Sequence, residues 1–323
     1  MIDQNHNPYS RPEENHAHLL QRLNIYQKER FPLLGHGVLV TAFSFSAISY
    51  SRISRGAEGF VSLDKFLVAI FTTVTLFLLV RILDEFKDAE DDAKYRRELP
   101  VPRGVVSFSE LRTLGILVAV TQIIINGLFF PRMLLMYGGV VLYLALMTKE
   151  FFIADWLKKH QFWYVTSHMF IIPFIDVYAS GFDWFLAGVS APFGLLFFFA
   201  VSYMNGIVLE VGRKIKAPEE EAEGVLTYSV MLGKNKAVGL WTAVLLLTLG
   251  FSFAAAYYAG YDWIIYGILT LLFLLCFSSG MLFLNKPVPK RAKLVETGSA
   301  LWTVGMYLCL GAGPMISRYI TEL

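Results

Sequence analysis

Long apolar stretches separated by short polar ones make up most of the chain. A membrane-spanning helix needs about 20 mostly apolar residues, and nine stretches meet that requirement. They lie at about residues 32–50, 65–83, 111–129, 131–149, 162–180, 188–209, 237–259, 263–284 and 297–317. Of the 323 residues, 55% are hydrophobic and 17% are charged, which is too apolar for an ordinary soluble protein. The pattern therefore predicts an all-α, polytopic membrane protein with nine transmembrane helices.

The segment before the first apolar stretch, residues 1–31, is polar and carries both charge signs. Four apolar side chains recur within it at helical spacing: Leu19, Leu20, Leu23 and Tyr26. This spacing predicts a short amphipathic helix that lies on the cytoplasmic membrane surface. The chain is thus expected to consist of an N-terminal segment, residues 1–31, and one transmembrane domain, residues 32–323.

The distribution of Lys and Arg predicts the orientation. If the N-terminus is inside, 23 of the 28 basic residues fall on the cytoplasmic side and 5 fall on the outer side. Such an excess is typical of cytoplasmic loops. We therefore expect an integral, multi-pass membrane protein with its N-terminus in the cytoplasm, located in the inner membrane if the cell is bacterial.

A group of acidic residues follows the second apolar stretch and is the first candidate site. Its members, here called the first motif, are Asp84, Glu85, Asp88 and Asp92. On a continuous helix they would point at about 0°, 100°, 40° and 80°, which is one arc of the surface. Such an arc at a membrane boundary could hold a divalent metal, because ionisable groups near hydrocarbon are costly and usually functional. The alternative is a solvated acidic face with Lys87 and Lys94 as ion-pair partners.

A second group of polar residues, the second motif, follows the sixth apolar stretch. If the helix continues to Pro218, Tyr203, Glu210 and Lys214 share one face within about 40°. A carboxylate, an ammonium and a phenol on one stripe suit a phosphate-bearing ligand, with Glu210 for metal and the other two for phosphate oxygens. The alternative is an ordinary basic loop that contains a Glu–Lys pair at i,i+4.

At this point the sequence resembles the UbiA superfamily of intramembrane prenyltransferases. The first motif is similar to the family's NDxxDxxxD, and the segment Leu99–Ser107 is similar to its RPxPxGxxS. The end of the second motif, with GVLT at 224–227 and Leu-Gly at 232–233, is similar to the family's GxxT and LG. Asp-Glu replaces Asn-Asp in the first motif, and a Glu-x-x-x-Lys replaces the usual acidic pattern in the second. The resemblance also selects Glu221 as the last acidic position.

The resemblance implies a UbiA-like helical bundle with a central cavity open to the cytoplasmic side. It implies Mg²⁺ as cofactor, and a prenyl diphosphate and a small aromatic acceptor as substrates. The expected partner besides these is the lipid bilayer, and no nucleic acid is expected to bind. The expected metal ligands are Asp84, Glu85, Asp88, Asp92, Glu210 and Glu221. The expected catalytic residues are Asp84, Asp88, Asp92 and Lys214. The expected substrate-binding residues are Arg81, Arg97, Arg103, His168, Tyr203 and Lys214, with His168 facing the acceptor.

Three functions remain open from the sequence. The leading one is Mg²⁺-dependent transfer of a polyprenyl group from an allylic diphosphate to a small acceptor. The second is a terpene cyclase of the same type, which would need no acceptor. The third is a transporter of divalent cations, although both motifs lie at one membrane face and no row of acidic residues crosses the midplane.

Overall fold

The computed structural model describes residues 17–222 and 224–321, and all regular structure in these two ranges is helical. The predicted all-α class is thus confirmed, while residues 1–16 of the predicted N-terminal segment lie outside the described part. The α-helices are α1 Leu19–Arg30, α2 Leu33–Ser54, α3 Leu63–Lys87, α4 Ala89–Tyr95, α5 Phe108–Phe129, α6 Met133–Thr148, α7 Ala154–Lys159, α8 Gln161–Met169, α9 Ile171–Gly181, α10 Gly194–Arg213, α11 Tyr228–Leu232, α12 Lys234–Tyr258, α13 Trp263–Asn285, α14 Pro289–Tyr307 and α15 Gly313–Thr321.

Seven helical segments of the described chain are long and apolar enough to cross a membrane. They are α2, α3, α5, α10, α12, α13 and the segment Pro289–Ile320. The fourth predicted span is the shorter apolar helix α6, with 16 residues. The fifth is divided into α8 and α9. The protein is therefore a multi-pass membrane protein, and the count of nine spans stays a prediction.

The break between α8 and α9 at Phe170 has a local cause. Pro173 lies in the first turn of α9 and has no backbone N–H, so it cannot donate to the carbonyl of Met169. The helix restarts at Ile171, with Phe170 as the flanking residue of both pieces. As a result α8 is a separate short helix, which carries His168 near its end.

The middle of the bundle is formed by α10 and α2. Helix α10 packs against α12, α14, α9 and α2, and α2 packs in addition against α3 and a π-helical turn at Leu308–Ala312. The approach of that turn requires a glycine, because a Cβ on Gly311 would lie 2.4 Å from backbone atoms of Ser46. Two fully buried indoles, Trp241 on α12 and Trp302 on α14, belong to the same hydrophobic core.

Most polar groups inside the bundle have protein partners. Asn126 donates to Thr72 and accepts from Tyr178. At the end of the bundle where α2 ends and α3 begins, buried Asp183 accepts hydrogen bonds from Arg52 and Arg55. Hydrocarbon offers no hydrogen bonds of its own, so these contacts satisfy groups that would otherwise be costly.

Candidate active site

The first motif lies where α3 ends, and its helix is not continuous. Helix α3 ends at Lys87, Asp88 has φ −94° and ψ 9°, and α4 begins at Ala89. Aspartate is a poor residue for a helix interior because its side chain competes for nearby backbone groups. The break turns the motif into two groups, with Asp84 and Glu85 on α3 and Asp92 on α4.

Asp84 and Asp88 face a common point, which Lys87 occupies. The Lys87 Nζ lies 3.6 Å from Asp84 Oδ1 and 3.4 Å from Asp88 Oδ1. The same ammonium donates a hydrogen bond of 2.6 Å to the Tyr164 hydroxyl. Both carboxylates are partly exposed, so they can exchange this cation for another ligand.

Glu85 is in a different environment, although it is adjacent in sequence. Its side chain is 1% exposed, and its Oε1 lies 2.5 Å from the Nε of Arg30 in α1 and 3.6 Å from the Nε of Arg81. Successive helical residues differ by about 100°, which turns Glu85 away from Asp84 and toward α1. Glu85 thus joins α1 to α3, and its predicted role as a metal ligand stays a prediction.

Helix α1 is attached to the first motif by further contacts. Tyr26 is buried against Ile82 and the loop after α4, and Arg22 pairs with Glu110 at 2.5 Å. Arg103, a predicted diphosphate ligand, pairs with Glu29 of α1 at 3.0 Å. The apolar side of α1 that carries Tyr26 therefore packs on the protein.

The remaining residues of this region are also paired. Asp92 is buried, its carboxylate lies 3.3 Å from Arg96, and burial raises the pKa of its carboxyl group. Arg97 is used locally, because its side chain donates to the carbonyl of Ala93. Among the residues of the first motif, only Asp84 and Asp88 therefore share a partly open point.

The second motif is compact around Glu210. Helix α10 ends at Arg213 rather than continuing to Pro218, and Lys214 at its end lies 2.7 Å from Glu210. Arg213 also binds this buried carboxylate. Tyr228 lies nearby, where burial and the charge of Glu210 raise the pKa of its phenol to about 12.

Helix α8 connects the two motifs. His168 interacts electrostatically with Lys87 and Asp88 of the first region and with Glu210 of the second. The Tyr164 ring stacks on His168 at a centroid distance of 4.1 Å. The Nε2 of His168 has no hydrogen-bond partner in residues 17–222 and 224–321. The structure thus brings Asp84, Asp88, Glu210, Lys214 and His168 to one end of the bundle.

Two predicted residues of the second motif lie at the edge of this group. Tyr203 is half-buried, and its hydroxyl donates to the carbonyl of Thr166 at 3.4 Å. Glu221 accepts hydrogen bonds from the Thr227 hydroxyl at 2.8 and 2.7 Å.

Two cavities lie in the described part of the protein. Glu221 lines one of about 300 Å³ together with Lys216 and Lys234. A second, apolar cavity of about 580 Å³ lies between α2, α3 and the chain end. Neither of these two cavities contains residues of the first motif, so the central cavity stays a prediction.

The chemistry of these carboxylates fits Mg²⁺, but no cage is preformed. In the described ranges, no three His, Cys, Asp or Glu side chains converge closely enough to hold a metal ion. Mg²⁺ usually binds one or two carboxylates and completes its shell with water and substrate phosphates. Asp84 and Asp88 meet that requirement, because their oxygens approach one cationic point. Glu85 meets it less well, because Arg30 already neutralises it.

Two residues of the site were not among the predicted site residues. Tyr164 precedes His168 by four residues, so helical spacing already places both on one face of α8. Lys87 was expected only as an ion-pair partner, whereas it contacts both carboxylates and Tyr164. The i,i+4 relation of Tyr164 to His168 was the sequence signal that could have identified the first of them.

Comparison with known proteins agrees with this architecture. The UbiA prenyltransferase family matches residues 37–314. A solved structure of digeranylgeranylglyceryl phosphate synthase superposes with a TM-score of 0.62 at 16% identity, covering 92% of this chain and 99% of that one. The apo structure of a UbiA homologue from Aeropyrum pernix K1 gives 0.61 at 14% identity, covering 86% and 97%. No curated protein matches the chain. Because the family match spans most of its length, the chain belongs to the UbiA prenyltransferase family.

Proposed function

We propose that the protein transfers a polyprenyl group from an allylic diphosphate to a small aromatic acceptor, with Mg²⁺ as cofactor and the site facing the cytoplasm. The observation that carries this proposal is the meeting of the two motifs through α8. Lys87 and Asp88 of the first region and Glu210 of the second all interact electrostatically with His168. A lysine accompanies each side, Lys87 on α3 and Lys214 at the end of α10. Carboxylates and ammonium groups together suit a magnesium diphosphate.

Each residue then has a definite task. Asp84 and Asp88 would hold Mg²⁺ together with diphosphate oxygens, and the bound ion supplies positive charge that stabilises the leaving group. Lys214 and Lys87 would bind diphosphate oxygens directly, because an ammonium group donates up to three hydrogen bonds. Glu210 orients Lys214 through their 2.7 Å contact.

The reaction itself requires an environment that excludes water. The allylic C–O bond breaks, its electron pair leaves with the diphosphate, and an acceptor carbon forms the new bond and releases a proton. Water would otherwise capture the allylic cation, so a dry surrounding favours transfer. Two aromatic rings contact His168 in this region. Phe151 is edge-on to it at a centroid distance of 6.1 Å, and Tyr164 is stacked on it at 4.1 Å. Their faces can also stabilise a cation.

The proposal is tested with purified protein, Mg²⁺ and labelled allylic diphosphates of several chain lengths, with and without aromatic acceptors. We expect a prenylated product that depends on both the acceptor and the metal. Hydrocarbon formed without acceptor would identify a cyclase instead. If no donor releases diphosphate, both enzyme functions are refuted.

A pair of variants connects this activity to the site. Asp88→Ala removes a carboxylate that faces Lys87 and should abolish turnover while the protein remains folded. Glu90→Ala is the matched control, because Glu90 is an exposed acid two residues away. Full activity of Asp88→Ala would remove the first motif from the mechanism.

A further inference from the structure

Four polar side chains meet inside the bundle, away from both motifs. They are Asp176 on α9, Ser202 and Asn205 on α10, and Tyr307 on α14, here called the buried polar cluster. Their exposures are 0%, 0%, 1% and 4%. Ser202 lies beside both the carboxyl group of Asp176 and the phenol of Tyr307, and Asn205 lies beside the same phenol. Three separate helices therefore contribute to one enclosed polar region.

The cluster contains hydrogen-bonding groups without partners. Both carboxyl oxygens of Asp176, the hydroxyl of Ser202 and both amide atoms of Asn205 form no hydrogen bond of normal length and angle with any described residue, although Ser202 and Asn205 lie close enough to their neighbours for weaker polar contacts. The polar groups around Asn126 and Asp183 differ in this respect, since each is paired with neighbouring side chains. Buried groups of native proteins are paired as a rule, and an unpaired carboxyl group in hydrocarbon is especially costly. The cluster therefore offers buried donors and acceptors to a small polar group.

The chemistry of the cluster restricts that guest. A carboxyl group, an amide and two hydroxyls can both donate and accept hydrogen bonds. None of the four side chains is cationic, so an anionic guest would be buried here without a counter-ion. A guest with a neutral hydroxyl or carbonyl group can form hydrogen bonds with two or three of these groups and brings no second negative charge beside Asp176.

The position of the cluster relates it to the reaction. On α10, Asn205 and Ser202 precede Glu210 by five and eight residues, which places them about 8 and 12 Å further along the axis. Asp176 lies on α9, beyond the break that follows His168. The cluster thus lies deeper in the bundle than Glu210 and His168, and an acceptor that extends inward from these two residues presents its far substituent to the cluster.

We propose that the buried polar cluster binds a neutral hydroxyl or carbonyl group of the acceptor, and that ordered water takes this place when the acceptor is absent. The inference rests on the proposed prenyl transfer and specifies its acceptor class. Aromatic acceptors with a neutral polar substituent are selected, and benzoate-like acceptors with an anionic substituent there are rejected.

Steady-state kinetics of conservative variants test whether the buried polar cluster binds the acceptor. Ser202→Ala and Asp176→Asn should raise KM for a neutral hydroxylated acceptor about three- to tenfold, as expected for a lost hydrogen bond. KM for the prenyl diphosphate should remain unchanged in both. Ser252→Ala is the matched control, because the buried Ser252 hydroxyl is already bonded to the carbonyl of Thr248. Equal KM changes in Ser202→Ala and Ser252→Ala, or a preference for benzoate-like acceptors, would overturn the inference.

A measurement without turnover separates this inference from the proposed function. Infrared difference spectra of the intact protein should show a carboxyl C=O band that shifts when a neutral aromatic alcohol is added, and Asp176→Asn should abolish the shift. Benzoate should leave the band unchanged. If the band shifts although no prenyl transfer occurs, the site stands and the proposed function fails. If prenyl transfer occurs but no neutral acceptor shifts the carboxyl band, the cluster holds only water and the inference fails.

Discussion

Replacing Arg30 by alanine tests whether Glu85 is an anchor for α1. The variant removes the guanidinium that lies 2.5 Å from the Glu85 carboxylate, whose side chain is 1% exposed. Arg81 remains at 3.6 Å, so the carboxylate keeps one distant cation. While α1 stays docked, Glu85 is then a buried charge with little compensation, and undocking of α1 relieves it. The substitution should therefore weaken the docking of α1.

The size of the effect follows from the burial of the pair. Removing one partner of a buried ion pair costs about 3–5 kcal/mol, and the remaining contact with Arg81 favours the lower end, about 3 kcal/mol. Arg22 offers a matched control on the same helix, because both members of its pair with Glu110 are about one quarter exposed. Ion pairs that reach solvent contribute less than buried ones, about 1 kcal/mol. The two substitutions should thus differ by about 2 kcal/mol.

Hydrogen exchange of the α1 amides measures docking directly, because a single packed helix can open locally without global unfolding. Arg30→Ala should lower the protection of residues 19–30 about 100-fold, and Arg22→Ala by less than about tenfold. Adding Glu85→Gln to Arg30→Ala should restore most of the protection, since an amide is far cheaper to bury than an unpaired charge. Equal losses in both single variants, or no recovery in the double variant, would refute the reasoning.

Three further predictions concern the site and the packing. Tyr164→Phe removes the hydroxyl that fixes Lys87 at 2.6 Å and should raise KM for the prenyl diphosphate about three- to tenfold in steady-state kinetics; unchanged KM would exclude a positioning role. Lys214→Met should raise the same constant more strongly, about 10- to 100-fold, because it removes a charged hydrogen bond, and direct binding of labelled diphosphate would show the same loss. Gly311→Ala should lower the thermal midpoint in detergent, because its Cβ would meet the backbone of the neighbouring helix at 2.4 Å, whereas Gly239→Ala, with no atom within 4 Å, should leave the midpoint equal or higher.

The transmembrane pattern could be predicted because long apolar stretches report directly on spans. Helices α12 and α13 agree closely with the stretches at 237–259 and 263–284. The break in the fifth span was less evident, although Pro173 indicated it in the sequence. The length of continuous helix that carries each motif was overestimated for a related reason. The angular positions assumed continuous helices, whereas α3 ends before Asp88 and α10 ends before Lys214.

Partners distant in sequence could not be predicted from helical spacing. Arg30 and Glu85 are 55 positions apart, and Lys87 and Tyr164 are 77 apart. Spacing describes which residues share a helix face, but which face meets which neighbour depends on packing of the whole bundle. The four residues of the buried polar cluster likewise come together from three helices, which helical spacing could not show.

The attachment of α1 to Glu85 bears on how the enzyme can be shortened. The family match begins at residue 37, whereas Arg30, Tyr26 and Arg22 all precede it. A protein trimmed to the family boundaries would keep every residue of both motifs and yet leave one buried carboxylate without its counter-ion. Domain boundaries drawn from the family match therefore omit a helix whose arginine neutralises a buried carboxylate of the first motif.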